Sequence, residues 1–232
     1  MADTTALNQK YFNQIASEYD TRYEKTLGQL EKEVKNSRDF IGMKQGGRLL
    51  DYACGTGLLS RSIGEEASQC IGIDVSDSMV EAYNAKAKTE HAFPEKREAL
   101  VGNLLDPSDP RPPALSDARF FDFDLAGVGA GFHHFDDPAL AARRLAERLR
   151  PGGVLFILDF MPHQLAGEEH LHARGVAHHG FSEETMRTIF EGAGVGGDFG
   201  FRELEEPVVF HNARGEGQHM VRRVFFARGT KL

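Results

Sequence analysis

The stretch that decides the fold reads "LLDYACGTGLLS" and spans residues 49–60. An apolar run leads to Asp51, as is typical of the end of a buried strand, and a helical pattern begins at Leu58. Between them stand the small residues Ala53, Gly55 and Gly57. Because a larger side chain would collide with a closely bound molecule, such a turn lets the backbone touch a ligand. The stretch indicates either a ligand site at this turn or simply a tight connection between strand and helix.

A second acidic residue ends the next apolar run, "IGIDVSDSM" at 71–79. Asp74 follows the small-residue turn at about the 20-residue spacing at which nucleotide-binding folds place a ribose-binding carboxylate. One carboxylate can accept hydrogen bonds from two neighbouring hydroxyls. We therefore expect Asp74 to bind a ribose, the alternative being a residue that only starts a turn.

The turn differs from the dinucleotide fingerprint, which needs a third glycine to bring a helix N-terminus against a pyrophosphate. Leu58, Leu59 and Ser60 follow Gly57, so that third position is not filled. The negative charge expected on Asp51 would repel a phosphate and attract an ammonium group. These features favour a nucleoside that carries an amino acid.

Along the chain, short apolar runs alternate with segments of helical spacing, which predicts a doubly wound α/β sheet. The predicted parallel strands are 48–52, 70–74, 98–102, 123–128 and 154–160. The predicted helices are 4–21, 26–41, 58–66, 78–89, 140–149 and 183–193, the last capped by Ser182, and two antiparallel strands are expected near 201–210 and 222–228.

Composition narrows the class of protein. With 232 residues, one domain with elaborations is expected. A formal net charge of −8 argues against binding nucleic acid or an anionic membrane through a large basic face. Two cysteines, no apolar run long enough to span a bilayer and no hydrophobic leader segment predict a cytoplasmic protein without membrane association.

Several ordered motifs resemble the class I S-adenosylmethionine-dependent methyltransferases, small-molecule branch, which includes the ubiquinone/menaquinone-biosynthesis-like enzymes. These motifs are "LLDYACGTG" at 49–57, "GIDVSDSM" at 72–79, "GNLLDP" at 102–107, "FDLAGVGAGFHHFDDP" at 123–138 and "LRPGGVLFILDF" at 149–160. The resemblance implies a Rossmann-like, doubly wound, seven-stranded and mostly parallel sheet with a C-terminal antiparallel hairpin. It also implies S-adenosyl-L-methionine as the cofactor, with S-adenosyl-L-homocysteine as the product.

The same resemblance assigns residues to the cofactor. Asp51, Ala53, Gly55, Thr56 and Gly57 would surround its methionine part, and Ala53 is tolerable in place of the family's glycine if its backbone avoids positive φ. The other expected contacts are Asp74 with the ribose, Val75, Met79, Asn103 and Leu104 with the adenine, and Val128 and Gly129 with the methionine ammonium.

The resemblance further divides the single domain into three parts. Residues 1–45 would form a helical lid, in which Tyr11 and Tyr19 cover the cofactor or, alternatively, only pack on the sheet. Residues 46–160 would form the cofactor-binding core. Residues 161–232 would supply an acceptor-side loop, a helix and the terminal hairpin.

The stretch "GAGFHHFDDP" at 129–138 leaves the predicted fourth strand at the sheet edge where ligands bind. Asp136 or Asp137 before Pro138 predicts a helix N-cap. His133 and His134 are the candidate catalytic residues, as a base or hydrogen-bond partner of the acceptor, or else structural histidines. In an extended chain at most one of them would face the site, and no metal is expected because magnesium prefers oxygen ligands.

A second histidine-rich stretch spans 163–181, and its most economical interpretation is a polar loop. His170 and His172 beside Glu168 or Glu169 lack the cysteine pair or helical histidine pair of a zinc site. His178 or His179 could reach the acceptor, since in the family this loop borders the acceptor pocket.

The reaction implied by the resemblance is methyl transfer to an O, S or N nucleophile of a small molecule, for instance a secondary metabolite or quinone-like compound. Methyl transfer to a protein or RNA partner, and an NAD(P)-dependent oxidoreductase, stay open as alternatives. The protein is expected to act as a monomer or homodimer, without nucleic-acid partners.

Overall fold

The computed structural model describes residues 4–89, 97–163, 175–211 and 219–232. A seven-stranded sheet, with the spatial order β3-β2-β1-β4-β5-β9-β6, forms the centre of the fold. The strands of this sheet are β1 (Gly47–Tyr52), β2 (Ala67–Asp74), β3 (Arg97–Val101), β4 (Phe123–Gly129), β5 (Leu149–Phe160), β6 (Gly197–Glu203) and β9 (Val224–Thr230). Two further strands, β7 (Val208–Phe210) and β8 (Met220–Arg222), form a separate small sheet.

The first five strands pair in parallel, and β9 pairs antiparallel with both β5 and β6. The sheet therefore confirms the predicted Rossmann-like class with its antiparallel C-terminal strands. The carboxyl ends of β1, β2, β4 and β5 meet at one edge, where open α/β sheets bind ligands.

Helices cover both faces of the sheet. They are α1 (Thr4–Ile15), α2 (Tyr19–Asn36), α3 (Arg38–Ile41), α4 (Leu58–Ile63), α5 (Asp77–Thr89), α6 (Pro138–Arg148) and α7 (Glu183–Gly192). Alternate residues of β5 enter opposite cores: Leu155 and Ile157 pack with α6 and α7, whereas Phe156 and Leu158 pack with α2 and α4. This period of two, with both faces apolar, is what a doubly wound sheet requires.

The N-terminal helices break earlier than the sequence pattern predicts. One helix was expected over 4–21, but α1 ends at Ile15 and α2 already begins at Tyr19. At Tyr23 the backbone leaves helical geometry, with φ −112° and ψ 16°. The prediction of a single helix over 4–21 is therefore wrong.

The predicted strand over 201–210 is in fact two strands in two different sheets. β6 ends at Glu203, while β7 pairs antiparallel with β8 in the separate two-stranded sheet. Residues 204–207 separate the two strands, and Pro207 among them cannot donate to a sheet ladder. We call β7 and β8 the β7–β8 hairpin; its Val209 carbonyl accepts a hydrogen bond from Thr26 Oγ1 of α2 at 2.7 Å.

The start of α6 confirms the predicted cap. The Asp137 side chain accepts a hydrogen bond from the Leu140 amide at 2.8 Å, and Pro138 is the first helical residue. Asp137, rather than Asp136, is therefore the N-cap. In the described parts of the chain, no helix combines the length and apolar character needed to cross a membrane.

Candidate functional site

A cavity of about 210 Å³ lies at the carboxyl edge of the sheet, between the strand ends and the N-terminal helices. One water molecule needs about 10–15 Å³ of such space, so the cavity is of ligand size. Its walls include residues that follow β1, the end of β2, residues that follow β4, and the last residue of β5. The cavity therefore crosses the four central strands from Asp74 to Phe160.

The small-residue turn forms part of the wall, and all three of its small residues, Ala53, Gly55 and Gly57, have positive φ, in the left-handed backbone region. Gly55 has φ +51°, and the position its Cβ would take faces open space. Ala53 has φ 53°, so the condition under which alanine was expected to be tolerable here, a backbone that avoids positive φ, is not met. A non-glycine residue in this region costs about 1–2 kcal/mol, so the surrounding structure holds Ala53 in a strained conformation.

Gly57 has φ +96°, but its constraint comes from packing rather than from a ligand. A Cβ there would lie 3.0 Å from the Tyr83 ring. Gly57 is not among the residues that line the cavity. Its contact with a cofactor stays a prediction that the cavity geometry does not support.

Asp74 lines the cavity at the end of β2. Its two carboxylate oxygens each accept one backbone amide at 2.8 Å, from Gly55 and from Ser76. Burial raises the pKa of Asp74, and these amide hydrogen bonds act in the opposite direction. The Val75 amide also lowers this pKa by hydrogen bonding, and three amides leave at least one of the four lone-pair sites of the carboxylate for a ligand.

Asp51 is directed away from the cavity, in contrast to the expectation of contact with a ligand ammonium. Only 1% exposed, it accepts hydrogen bonds from the Ser60 amide at 3.1 Å and the Ser60 hydroxyl at 2.7 Å. Burial raises its pKa to about 7, against the opposing effect of these bonds. Asp51 therefore holds the first turn of α4 against the sheet.

Three further predicted contacts, Val128, Leu104 and Asn103, are not among the residues that line the cavity. Val128 and Leu104 are buried in the core beside α6. The Asn103 amide oxygen already accepts from the Leu105 amide at 2.8 Å and the Tyr52 hydroxyl at 3.4 Å. The residues predicted to bind the cofactor that do line the cavity are Tyr11, Tyr19, Ala53, Gly55, Thr56, Asp74, Val75, Met79 and Gly129.

The N-terminal helices cover the cavity with aromatic side chains. Tyr11 and Tyr19 line it together with Phe12 and Tyr23, and the rings of Tyr19 and Tyr23 meet edge to face at 5.0 Å. Burial raises the pKa of the Tyr19 hydroxyl, so it stays protonated. Thr56 ties this cover to the turn, because its hydroxyl donates to Asp20 of α2 at 2.6 Å.

Both candidate histidines line the cavity, which corrects the expectation that at most one would face it. The chain is not extended there: Phe132–His134 form a single 3-10 turn. The rings of His133 and His134 lie 4.2 Å apart and are tilted by 39°. The tight turn places consecutive side chains on the same side.

His133 is held by a buried carboxylate that the sequence analysis did not identify. Its Nδ1 lies 2.9 and 3.1 Å from the two oxygens of Asp159, which also accept the His133 amide at 3.0 Å and the Phe160 amide at 2.7 Å. Asp159 has no exposed surface and lies in β5. A carboxylate accepts, so the Nδ1 of His133 carries a proton, and in the neutral ring the lone pair is then on the other ring nitrogen, Nε2. A lone charged residue in the apolar run "LFILDF" was the available signal.

His134 is a neutral ring. Burial and the neighbouring His133 lower its pKa to about 3. Its Nδ1 lies 3.0 Å from the Gly175 carbonyl, which can only accept, so the proton is on Nδ1. His134 therefore also presents an unprotonated Nε2.

The second histidine-rich stretch is only partly described. His178 and His179 do not line the cavity, and His170, His172, Glu168 and Glu169 lie outside the described residues. Among the residues that are described, no three His, Cys, Asp or Glu side chains are arranged to hold a metal ion.

The sheet order, the small-residue turn and the strand-end carboxylate define the class: the fold is that of the class I S-adenosylmethionine-dependent methyltransferases. Residues 26–195 match the family model described as "methyltransferase domain". The chain belongs to this methyltransferase domain family, which favours methyl transfer over the NAD(P)-dependent alternative.

Relatives of known sequence agree with this family. An uncharacterized methyltransferase of Schizosaccharomyces pombe is 32% identical over 160 residues, covering 66% of this chain and 54% of that protein. A ubiquinone/menaquinone biosynthesis C-methyltransferase of Edwardsiella ictaluri is 28% identical over 215 residues, covering 90% of this chain and 78% of that protein. The chain thus spans about half the length of the yeast relative.

Solved structures support the fold. A SAM-dependent methyltransferase of Thermotoga maritima superimposes with a TM-score of 0.64 at 18% identity, covering 96% of this chain and 99% of that one. A phosphoethanolamine N-methyltransferase of Haemonchus contortus, solved with S-adenosyl-L-methionine, gives a TM-score of 0.62 at 16% identity, covering 86% of this chain and 52% of that one. At these identities the likeness shows a shared fold.

Proposed function

We propose that this protein transfers a methyl group from S-adenosyl-L-methionine to an O, S or N nucleophile of a small molecule. The observation that carries the proposal is one continuous cavity with Asp74 at one end and the Asp159–His133 pair further along the same sheet edge. The first end suits a nucleoside and the other provides a base. Enclosure by the N-terminal helices favours a small acceptor over a macromolecule.

The residues at the Asp74 end fit the cofactor. Gly55 leaves open space where a side chain would stand, and Asp74 keeps acceptor capacity for a ribose hydroxyl beyond its amide donors. Val75 and Met79 offer apolar contact to an adenine, and Gly129, at the end of β4, would lie near the methionine part. Asp51, Gly57, Asn103, Leu104 and Val128 would act indirectly, by holding the wall in place.

When bound, the cofactor supplies a methyl group already activated on a sulfonium. The protein's contribution is then to orient the acceptor and to exclude water, and alignment of reacting groups can be worth about 7–11 kcal/mol. Tyr11, Tyr19 and the remaining lid residues close the cavity over the reacting groups.

His133 would remove the acceptor's proton. Its Nδ1–H donates to Asp159, so the free Nε2 can take a proton from a hydroxyl or amine. The Asp159 carboxylate would stabilise the positive ring that results, as the carboxylate does in other acid–base histidine pairs. His134, neutral and fixed by Gly175, would accept a hydrogen bond from the acceptor or shape its position.

The proposal is tested first by binding. S-adenosyl-L-methionine and S-adenosyl-L-homocysteine should raise the thermal midpoint, whereas NAD and NADP should not, because only a ligand of the native state stabilises it by mass action. Stabilisation by NAD(P) alone would contradict the cofactor assignment.

Transfer is tested with a labelled methyl group and a panel of phenols, thiols, amines and carboxylates. Labelling of at least one small acceptor is expected. If the cofactor binds and only a protein or RNA fraction is labelled, the small-molecule part of the proposal is wrong.

A further inference from the structure

The β7–β8 hairpin lines the cavity beside the end of β5, on the side away from Asp74. Phe210 and Met220 line the cavity and are direct cross-strand partners, so their side chains share one face. Val209 and Val221 form the neighbouring pair and therefore share the other face, where Val221 is 54% exposed. The face of the hairpin that carries Phe210 and Met220 is therefore directed toward the cavity, and the face that carries Val221 is directed toward solvent.

Two hydrogen bonds from α2 hold the hairpin in place. Thr26 Oγ1 donates to the Val209 carbonyl at 2.7 Å, and Gln29 Nε2 donates to the Pro207 carbonyl at 3.1 Å. The Phe210 ring also meets the rings of Tyr23 and Phe160 edge to face, at 6.2 and 5.7 Å. These contacts fix the distance between Phe210 and the end of β5.

The chemistry of this end is apolar. Leu27 and Leu30 of α2 complete the wall next to Tyr23, Phe160 and Phe210. Among the described residues that line the cavity there is no lysine or arginine, and Asp74 is the one carboxylate, at the opposite end. An anionic or cationic substituent buried here would therefore lack a charged partner, which is strongly unfavourable. Aromatic edges and faces instead favour a flat, uncharged group.

We infer that Phe210 and Met220 are the residues that determine acceptor specificity, and that the acceptor is uncharged and apolar in the part that lies beyond the reacting atom. The inference rests on the proposed function. The reacting atom of the acceptor would lie near His133, and its apolar part would extend to Phe210 and Met220 of the hairpin. The distance between His133 and the hairpin therefore limits the length of this apolar part.

The test measures binding, so it does not depend on knowing the natural acceptor. The protein is saturated with S-adenosyl-L-homocysteine and titrated calorimetrically with 4-propylphenol, 4-hexylphenol and 3-(4-hydroxyphenyl)propanoate, which carries a negative charge at the end of its tail. The uncharged 4-propylphenol should bind at least about tenfold more tightly than the propanoate, because a carboxylate buried at the hairpin would lack a charged partner. Equal or tighter binding of the propanoate, or no binding of either uncharged phenol, would overturn the inference.

Variants then assign the specificity to the hairpin. Phe210→Ala and Met220→Ala should weaken the binding of 4-propylphenol, because each removes part of the cavity wall. Both should also raise the affinity for 4-hexylphenol relative to 4-propylphenol, because the shortened side chain lengthens the available space. For Phe210→Ala, this ratio of affinities should change by about tenfold. Val221→Ala, on the solvent face of the same hairpin, is the matched control and should leave the ratio unchanged. An unchanged ratio in both cavity-facing variants would refute the role of the hairpin.

The affinity for S-adenosyl-L-homocysteine separates this inference from the proposed function. It should stay within twofold of the wild-type value in all three variants, which also shows that they are folded. If the wild-type protein does not bind S-adenosyl-L-homocysteine at all, the proposed function is wrong. If it binds and the phenol ratios do not move, the hairpin inference alone fails.

Discussion

Replacing Asp159 by asparagine tests the Asp159–His133 pair with almost no change in shape. The carboxylate accepts three hydrogen bonds, from the Nδ1 and the amide of His133 and from the amide of Phe160. An asparagine oxygen can keep some of these bonds but brings no negative charge. The ring of His133 should therefore stay near its place while a positive charge on it loses its partner.

The size of the effect follows from that lost charge. A hydrogen bond to a charged group contributes about 1.5–3 kcal/mol, which is about 10- to 100-fold in rate. We expect kcat with a weakly acidic phenol to fall by this factor, with KM for the phenol and for S-adenosyl-L-methionine nearly unchanged. His133→Ala removes the base itself and should cost more, about 10²- to 10⁴-fold.

The assay is the initial rate of labelled-methyl transfer to two acceptors, one phenol that is protonated at neutral pH and one that is already ionised. The ionised acceptor needs no base, so Asp159→Asn should affect it much less. Asp136→Asn, an exposed carboxylate next to the α6 cap, is the control and should behave like the wild type. An equal loss with both acceptors, or a kcat within twofold of wild type, would refute the role of Asp159.

Three further predictions concern the cofactor end and the pH dependence of stability. Asp74→Asn should weaken S-adenosyl-L-methionine binding about 10- to 100-fold by calorimetry, whereas Asp51→Asn should change it less, because only Asp74 lines the cavity; the reverse order would contradict the geometry. Thr56→Val removes the hydrogen bond to Asp20 of α2 and should speed the release of S-adenosyl-L-homocysteine about 2- to 10-fold in stopped flow. An unchanged release rate would show that this hydrogen bond does not hold the N-terminal helices over the cavity. Burial lowers the pKa of His134 to about 3, below the value of about 6.5 in the unfolded chain. The neutral ring therefore contributes its full stabilisation above about pH 6.5. This contribution to the free energy of unfolding is lost as the pH falls toward 3, by up to about 1.4 kcal/mol per pH unit. The thermal midpoints at pH 7.5 and 5.0 should therefore differ less in His134→Gln than in the wild type. An equal difference in both proteins would contradict a role of His134 in the pH dependence of stability.

Much of the sheet could be predicted because its signals are local. Buried parallel strands are short apolar runs, and Asp137 with Pro138 marks a helix start by itself. The β7–β8 hairpin could not be predicted, since its strands have three residues each and are stabilised by packing on α2, far away in sequence. The conformation of Ala53 was also hidden, because alanine gives no sign of positive φ.

The three buried carboxylates at the carboxyl edge show why position alone does not assign a role. Asp51, Asp74 and Asp159 all lie at or near the ends of apolar strands, and they are 1%, 8% and 0% exposed. Their partners separate them: Asp51 is engaged by Ser60 of α4, whereas Asp74 binds two turn amides and faces the cavity.

Asp159 has no surface to offer a ligand, so it can act on the reaction only through the ring of His133. A sequence reports that a carboxylate ends a strand, but the number of oxygen lone pairs left free is decided by donors brought in from elsewhere in the fold. Of the three, only Asp74 keeps free acceptor capacity facing the cavity. Direct contact with a bound nucleoside should therefore be sought at Asp74, and effects on proton transfer at Asp159.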